Sequence, residues 1–286
     1  MRSGHESQGI AALPARDGYV RRRGLRPGTV LVFLFVVALV GAVMATGLPV
    51  IVGIGDSVTA ATGCECPGFV EPYAADLPTS AGGPAAGVNL GANGLTAAGL
   101  RTLVTTPTPT AESVGEADFL LVTIGANDLL PLLPRWRASG CPAACYLPTV
   151  DTVGADISDI LTAAKTLRSN RPSQILVTTY WNVFADGDVA KATENAAYLQ
   201  WSDELTRALN ARICAAAHGA GAICVDLYAP FKGNGSQNPT KLLAGDGDHP
   251  NAAGYRVISS TLLAATPAKT RSRLDAGQPH VPAGGP

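Results

Sequence analysis

Charge is scarce in this 286-residue chain: only 15% of residues are Asp, Glu, Lys or Arg, and 21 basic against 22 acidic side chains leave a formal net charge of −1. Such a balance creates no field to steer a polyanion, so nucleic acid is excluded as an expected partner and a strongly acidic ligand is not anticipated. No internal repeat and no nucleic-acid-binding motif occurs. The six cysteines lack the paired CxxC spacing of a zinc site, so no metal is expected, and no organic cofactor either. Histidine numbers only four, which narrows any search for a catalytic base. No composition shift within residues 49–268 marks a second domain, and at 47% apolar residues the chain can bury one sizeable core.

What charge there is lies unevenly. Residues 1–28 hold Arg2, Arg16, Arg21, Arg22, Arg23 and Arg26 against Glu6 and Asp17, a net +4 that leaves −5 for the remainder. Directly after this basic leader, Thr29–Thr46 runs uncharged and apolar, just short of the ~20 residues a bilayer-spanning helix needs. Positive charge stays inside, so residues 29–46 are expected to be a membrane anchor or signal segment and the rest to be exported. Val43-Met44-Ala45 offers small residues for cleavage, but the long apolar run favours an uncleaved anchor over a secreted form. An even number of cysteines fits export, and three disulfides are expected. The one-residue spacer between Cys64 and Cys66 argues for crossed partners: Cys64 and Cys66 with Cys141 and Cys145, and Cys214 with Cys224.

Pro49–Ala60, PVIVGIGDSVTA, organises the rest. An apolar run stops abruptly at Gly55-Asp56-Ser57, which reads as a buried strand ending in a turn that carries a hydroxyl. Further on come a short helix near Val70–Leu77, a strand at Val88–Leu90, a helix over Leu95–Val104 and a Thr/Pro connector through Thr110. Asp118–Ile124 is a second apolar strand, followed by loop from Pro131 to Leu147 and a helix near Val153–Arg168. Ile175–Thr179 is a third strand, and Tyr180-Trp181-Asn182 at its end either lines a pocket or caps the core. Ala190–Ala217 reads as the longest helix, Ala222–Leu227 as a strand, then loop to Gly247, a final helix over Ala252–Ala265 and a disordered tail, residues 269–286. Strands alternating with helices imply a three-layer α/β/α sandwich around a mostly parallel, flavodoxin-like sheet.

Acyl transfer needs a nucleophile, a base, a carboxylate to orient the base and donors for the oxyanion. Ser57 stands where open parallel sheets put their ligands. Among the histidines, His5 precedes the apolar run, His280 lies in the tail and His218 ends a helix, which leaves His249. Its loop, AGDGDHPNAAGY, offers two carboxylates, Asp246 and Asp248.

Four blocks in order make the chain resemble the SGNH or GDSL hydrolases over Pro49–Thr266: Gly55-Asp56-Ser57, Asn89 through Thr96, Gly125-Ala126-Asn127-Asp128, and Asp246 through Asn251. The resemblance implies a serine esterase or lipase with Ser57 as nucleophile, His249 as base and Asp246 as its orienting carboxylate. It further implies oxyanion donors at the Ser57 amide, the Gly94 amide and the Asn127 side chain. Val58 departs from the leucine that the family carries after its serine. The apolar Leu129–Leu133 mildly favours a lipid-like acyl chain. The alternatives are a carbohydrate O-acetyl esterase or an acyltransferase of the cell envelope, and a non-catalytic membrane-tethered binding domain. A monomer is expected.

Overall fold

The structure, a computed structural model, describes residues 48–77, 84–169 and 174–267. The expected basic leader, the apolar segment 29–46, the tail, His5 and His280 lie outside the described residues. Among the described residues no helix is long and apolar enough to cross a membrane.

Strand β1, Val50–Gly55, is buried at every position because both faces of its VIVGIG run are covered. Helix α1 (Val70–Asp76) leads to the edge strand β2 (Ala86–Gly91). Helix α2 (Ala97–Thr105) is capped by the Thr96 side chain, which accepts the Gly99 N–H. Where a connector through Thr110 was expected, a further helix α3 (Pro109–Glu116) forms. Thr108 caps it, and Pro109 occupies the first turn, where a missing N–H costs nothing.

After β3 (Phe119–Thr123), residues 131–147 hold two more helical stretches rather than loop: α4 (Leu132–Ser139) and the start of α5 (Ala143–Leu167). In α4, Trp136 stacks on Trp201 at 5.2 Å, so tertiary packing holds a helix too short to be stable alone. Strand β4 is Gln174–Thr178. The single helix expected over Ala190–Ala217 is two, α6 (Gly187–Thr193) and α7 (Ala196–Gly219), because Asn195 caps the second one by accepting the Tyr198 N–H. The longest helix is therefore α5, at 25 residues. Strand β5 is only Ile223–Val225, and the segment towards Gly247 includes a short helix, α8 (Tyr228–Lys232), and a 3-10 turn at Pro239–Leu242. Helix α9 spans Ala252–Ala265, as expected.

All five strands are parallel, in the order β2-β1-β3-β4-β5. Helices α1 and α9 pack together on one face, and α2, α3, α5 and α7 pack in succession on the other. The result is the three-layer sandwich with the flavodoxin-like strand order. β1 and β3 lie at its centre, so the turns after them open at the middle of the carboxyl rim.

The cysteines form three disulfides, but crossed pairing does not occur: the bridges are Cys64–Cys66, Cys141–Cys145 and Cys214–Cys224. A bend at Glu65–Cys66 brings the first pair to a Cα separation of 5.1 Å. Cys141 sits just before the Pro142 cap of α5 and Cys145 in its first turn, also 5.1 Å apart, within the ordinary bridging range.

Candidate active site

The first half of the site grows from the central strands. Gly55 ends β1 at φ 148°, and a Cβ there would stand 2.0 Å from the Thr123 carbonyl oxygen, so only glycine lets β1 run this close to β3. The turn that follows lifts Ser57 out of the sheet. Behind it the Asp56 carboxylate is fully buried, accepts the Val58 N–H at 3.0 Å and takes a short hydrogen bond from the Tyr180 hydroxyl. Burial pushes the Asp56 carboxyl up to about 7, against the hydrogen bonds from Tyr180 and Val58.

Hydrogen bonds weld the neighbouring blocks to this turn. The Asn89 side chain donates to the Thr59 carbonyl at 2.8 Å, the Ala92 N–H to the Gly55 carbonyl at 2.9 Å, and the Thr62 hydroxyl to Asn93 Oδ1 at 2.6 Å. Asn127 Nδ2 donates to the Leu95 carbonyl at 2.9 Å, and Asp128 accepts the Ala97 N–H at the same distance. The amide of Gly94, at φ 70°, and the side chain of Asn127 are thus set beside Ser57 by one continuous network.

The second half is a self-closed loop. Asn251 caps α9 by accepting the Ala253 and Gly254 N–H groups, and its own amide donates to the Lys241 and Leu243 carbonyls, so one side chain clasps both ends of residues 241–251. Inside the loop, Asp246 Oδ1 accepts the N–H groups of Asp248 and His249, and Asp246 Oδ2 meets His249 Nδ1 at 2.7 Å. Partial burial works against the Asp246 charge. The bonds from the Asp248 N–H and from the side chain and N–H of His249 outweigh it and hold the carboxyl below its ordinary value. Gly247, at φ 72°, leaves its carbonyl free to accept the Asp186 N–H at 2.7 Å.

Ser57, Gly94, Asn127, Asp248 and His249 line one cavity of about 190 Å³. Asp246 is not on its wall; it stands behind the His249 ring. Of the two carboxylates in the loop, Asp246 therefore engages the imidazole, while Asp248 faces the cavity. Burial, together with the nearby Asp246, pushes the Asp248 carboxyl up to about 6 despite the opposing pull of His249. Trp181 does both things open to it: it lines the cavity, and it is 1% exposed with its ring stacked on Phe231 at 4.3 Å. Among the described residues no group of His, Cys, Asp or Glu is placed to hold a metal ion.

Several supporting residues escaped the sequence reading. Tyr180 reaches Asp56 across 124 positions of sequence, and the buried Lys232 pairs with Asp186 at 2.6 Å and Asp203 at 2.9 Å. Asp186 in turn accepts from the Asn182 amide and anchors Gly247. No local pattern signals such pairings; the one available cue was Asn251, whose position before a helix is that of a cap.

The arrangement offers a hydroxyl, an imidazole backed by a carboxylate, and amide donors around one small cavity, the parts that acyl transfer requires. A family model described as GDSL-like lipase/acylhydrolase matches residues 54–257. Among solved structures, a lipase from a goat rumen metagenome is similar at 21% identity and a TM-score of 0.61, over 78% of this chain and 99% of that one. An acetylxylan esterase from Geobacillus stearothermophilus is similar at 19% identity and a TM-score of 0.53, over 76% of this chain and 93% of that one. These two likenesses show a shared fold. No curated protein matches the sequence.

Proposed function

This chain belongs to the GDSL-like lipase/acylhydrolase family and is a carboxylic ester hydrolase, and from that premise we propose that Ser57, His249 and Asp246 are its catalytic triad. The observation that carries the reading is the 2.7 Å contact between His249 Nδ1 and Asp246 Oδ2, which backs the imidazole on the wall of the cavity that Ser57 shares with Gly94 and Asn127. In this reading His249 Nε2 takes the Ser57 Oγ proton as Oγ attacks the ester carbonyl, and Asp246 steadies the imidazolium that forms. The Ser57 and Gly94 N–H groups and Asn127 Nδ2 receive the oxyanion. One Asn127 N–H is committed to the Leu95 carbonyl, and the amide has a second to give. His249 then returns the proton to the departing alcohol, leaving an acyl-Ser57 ester. Water, deprotonated by His249, attacks that ester and releases the acid.

The cavity size supports a short acyl group. At about 190 Å³ it falls below the ~300 Å³ at which pockets for drug-sized ligands begin. Leu129 and Leu132 are buried in the core, so of the apolar stretch expected to bind a fatty chain only Leu130 reaches the wall. We place the domain outside the cytoplasm as a monomer: three disulfides suit an oxidising compartment, and residues 29–46 have the composition of an anchor or signal segment.

The test is hydrolysis of p-nitrophenyl esters of increasing chain length by the purified protein under oxidising conditions. Acetate is expected to be preferred over long acyl chains, with turnover falling about 10⁴-fold or more in Ser57→Ala. A folded Ser57→Ala variant that keeps its turnover would overturn the assignment.

A further inference from the structure

Asp248 occupies an unusual position for a carboxylate. It sits beside His249 on the wall of the cavity, yet neither of its oxygens has a hydrogen-bond partner among the described residues, while the neighbouring Asp246 carboxylate satisfies both of its own. The wall around it is mixed: the nearly fully buried Val58, Trp181 and Val183 stand beside polar groups such as Asn182 that already have partners. The Asp248 carboxylate is thus an acceptor on the cavity wall with no partner among the described residues, open to a donor that a ligand brings.

Across the same cavity stands Asn93. Its Oδ1 is occupied by the Thr62 hydroxyl at 2.6 Å, and its Nδ2 has no partner among the described residues. The third amide on the wall, Asn182, is spoken for: it donates to Asp186 and Ser202 and accepts from the Val183 N–H. Besides Ser57, His249 and the oxyanion donors, the cavity presents a free acceptor at Asp248 and free donors at Asn93 Nδ2 and at Trp181 Nε1, the last buried with no partner among the described residues. A hydroxyl group both donates and accepts, whereas a plain alkyl or aryl ester only accepts and brings no donor for Asp248, and an ammonium group could not use the Asn93 donor.

We propose that Asp248 is a specificity-determining residue that accepts a hydrogen bond from a hydroxyl on the alcohol part of the ester, so that the enzyme favours short acyl esters of polyhydroxylated alcohols. This rests on the hydrolase reading above. Asp248 takes no proton from Ser57 in this scheme, and its role ends with orienting the ester. A carboxylate that hydrogen-bonds a substrate hydroxyl discriminates against the analogue lacking it, because that analogue displaces water from the carboxylate and brings no donor in its place.

The experiment compares glycerol monoacetate with propyl acetate, which carry the same acyl group and differ in the hydroxyls of the alcohol, by kcat/KM in the wild type, Asp248→Ala and Asp248→Asn. The wild type is expected to prefer glycerol monoacetate about tenfold or more, Asp248→Ala to bring the ratio close to one, and Asp248→Asn, which keeps an acceptor of the same shape, to fall between. A wild-type ratio near one, or a preference that survives in both variants, would overturn the proposal while leaving the esterase intact. Absence of turnover on both esters by the folded wild type would instead overturn the hydrolase reading, and this proposal with it.

Discussion

The two halves of the rim are held by different means. The half that carries Ser57 is fused to the centre of the sheet: Gly55 touches β3 at backbone distance, Asp56 is buried, and hydrogen bonds chain the turns at 56–62, 89–96 and 125–128 together. The half that carries His249 is a loop clasped by Asn251, and the bond from the Asp186 N–H to the Gly247 carbonyl ties its middle to the rest. In the proposed mechanism the nucleophile must be aimed and the oxyanion donors must not move, which suits groups set on the sheet, while the imidazole must swing a proton between two oxygens, which suits the less embedded loop. Damage to the first half should thus cost the fold, and damage to the second should cost the chemistry.

The largest effect expected is at Gly55. Alanine there would place a methyl group 2.0 Å from the Thr123 carbonyl oxygen on a backbone at φ 148°, so Gly55→Ala should lose roughly 4 kcal/mol or more and yield little folded protein, as thermal unfolding would show. Asp246→Ala is the counterpart in the loop. The side chain is 43% exposed, so the melting temperature should move by only a few degrees while turnover falls about 10⁴-fold. A variant that unfolds before it loses activity would erase the contrast between the halves.

Lys232→Met sharpens the comparison by attacking the loop's attachment from a distance. Lys232 is 5% exposed and bridges Asp186 and Asp203, and its loss leaves the buried Asp186 carboxylate without its cation, at a cost of about 3–5 kcal/mol, while Asp203 keeps Arg207. Because Asp186 holds Gly247, turnover should fall as well, in the fraction of protein that remains folded at low temperature. Lys232→Arg should restore part of both.

Asp56 gives the most gradual effect. Burial raises its carboxyl to about 7 from an ordinary 3.8, so between about pH 4 and 7 the native protein holds a proton that the unfolded chain has released. Stability contributed by this group therefore falls as pH rises through that window and levels off above it. Melting curves from pH 4 to 8 should show the wild type losing stability relative to Asp56→Asn as pH increases. Parallel curves would mean that Asp56 is ionised throughout.

The same contrast explains what could be read from residues alone. The central strands announce themselves because a parallel strand covered on both faces must be apolar throughout, as Val50–Gly55 and Phe119–Thr123 are. That Ser57, Gly94, Asn127 and His249 would meet at one rim could be expected, since each stands in a short block at the end of a strand or before a helix, and they do line one cavity. Helices α3 and α4 were not, because Pro109 reads as a breaker until Thr108 is seen to cap it, and α4 depends on Trp136 meeting a ring 65 positions away in sequence. The disulfides misled for a related reason: a bend at residues 65–66 and the first turn of α5 shorten distances that spacing alone suggests are awkward. The Tyr180–Asp56 and Lys232–Asp186 contacts exist only through topology.

The most direct test of the converging halves is covalent labelling of the intact protein with a fluorophosphonate, in which Ser Oγ displaces fluoride from phosphorus only when a base activates it. We expect one adduct per chain, mapped by peptide mass spectrometry to Ser57 and lost in His249→Ala. Failure of the folded wild type to label, or an adduct on any other serine, would contradict the account.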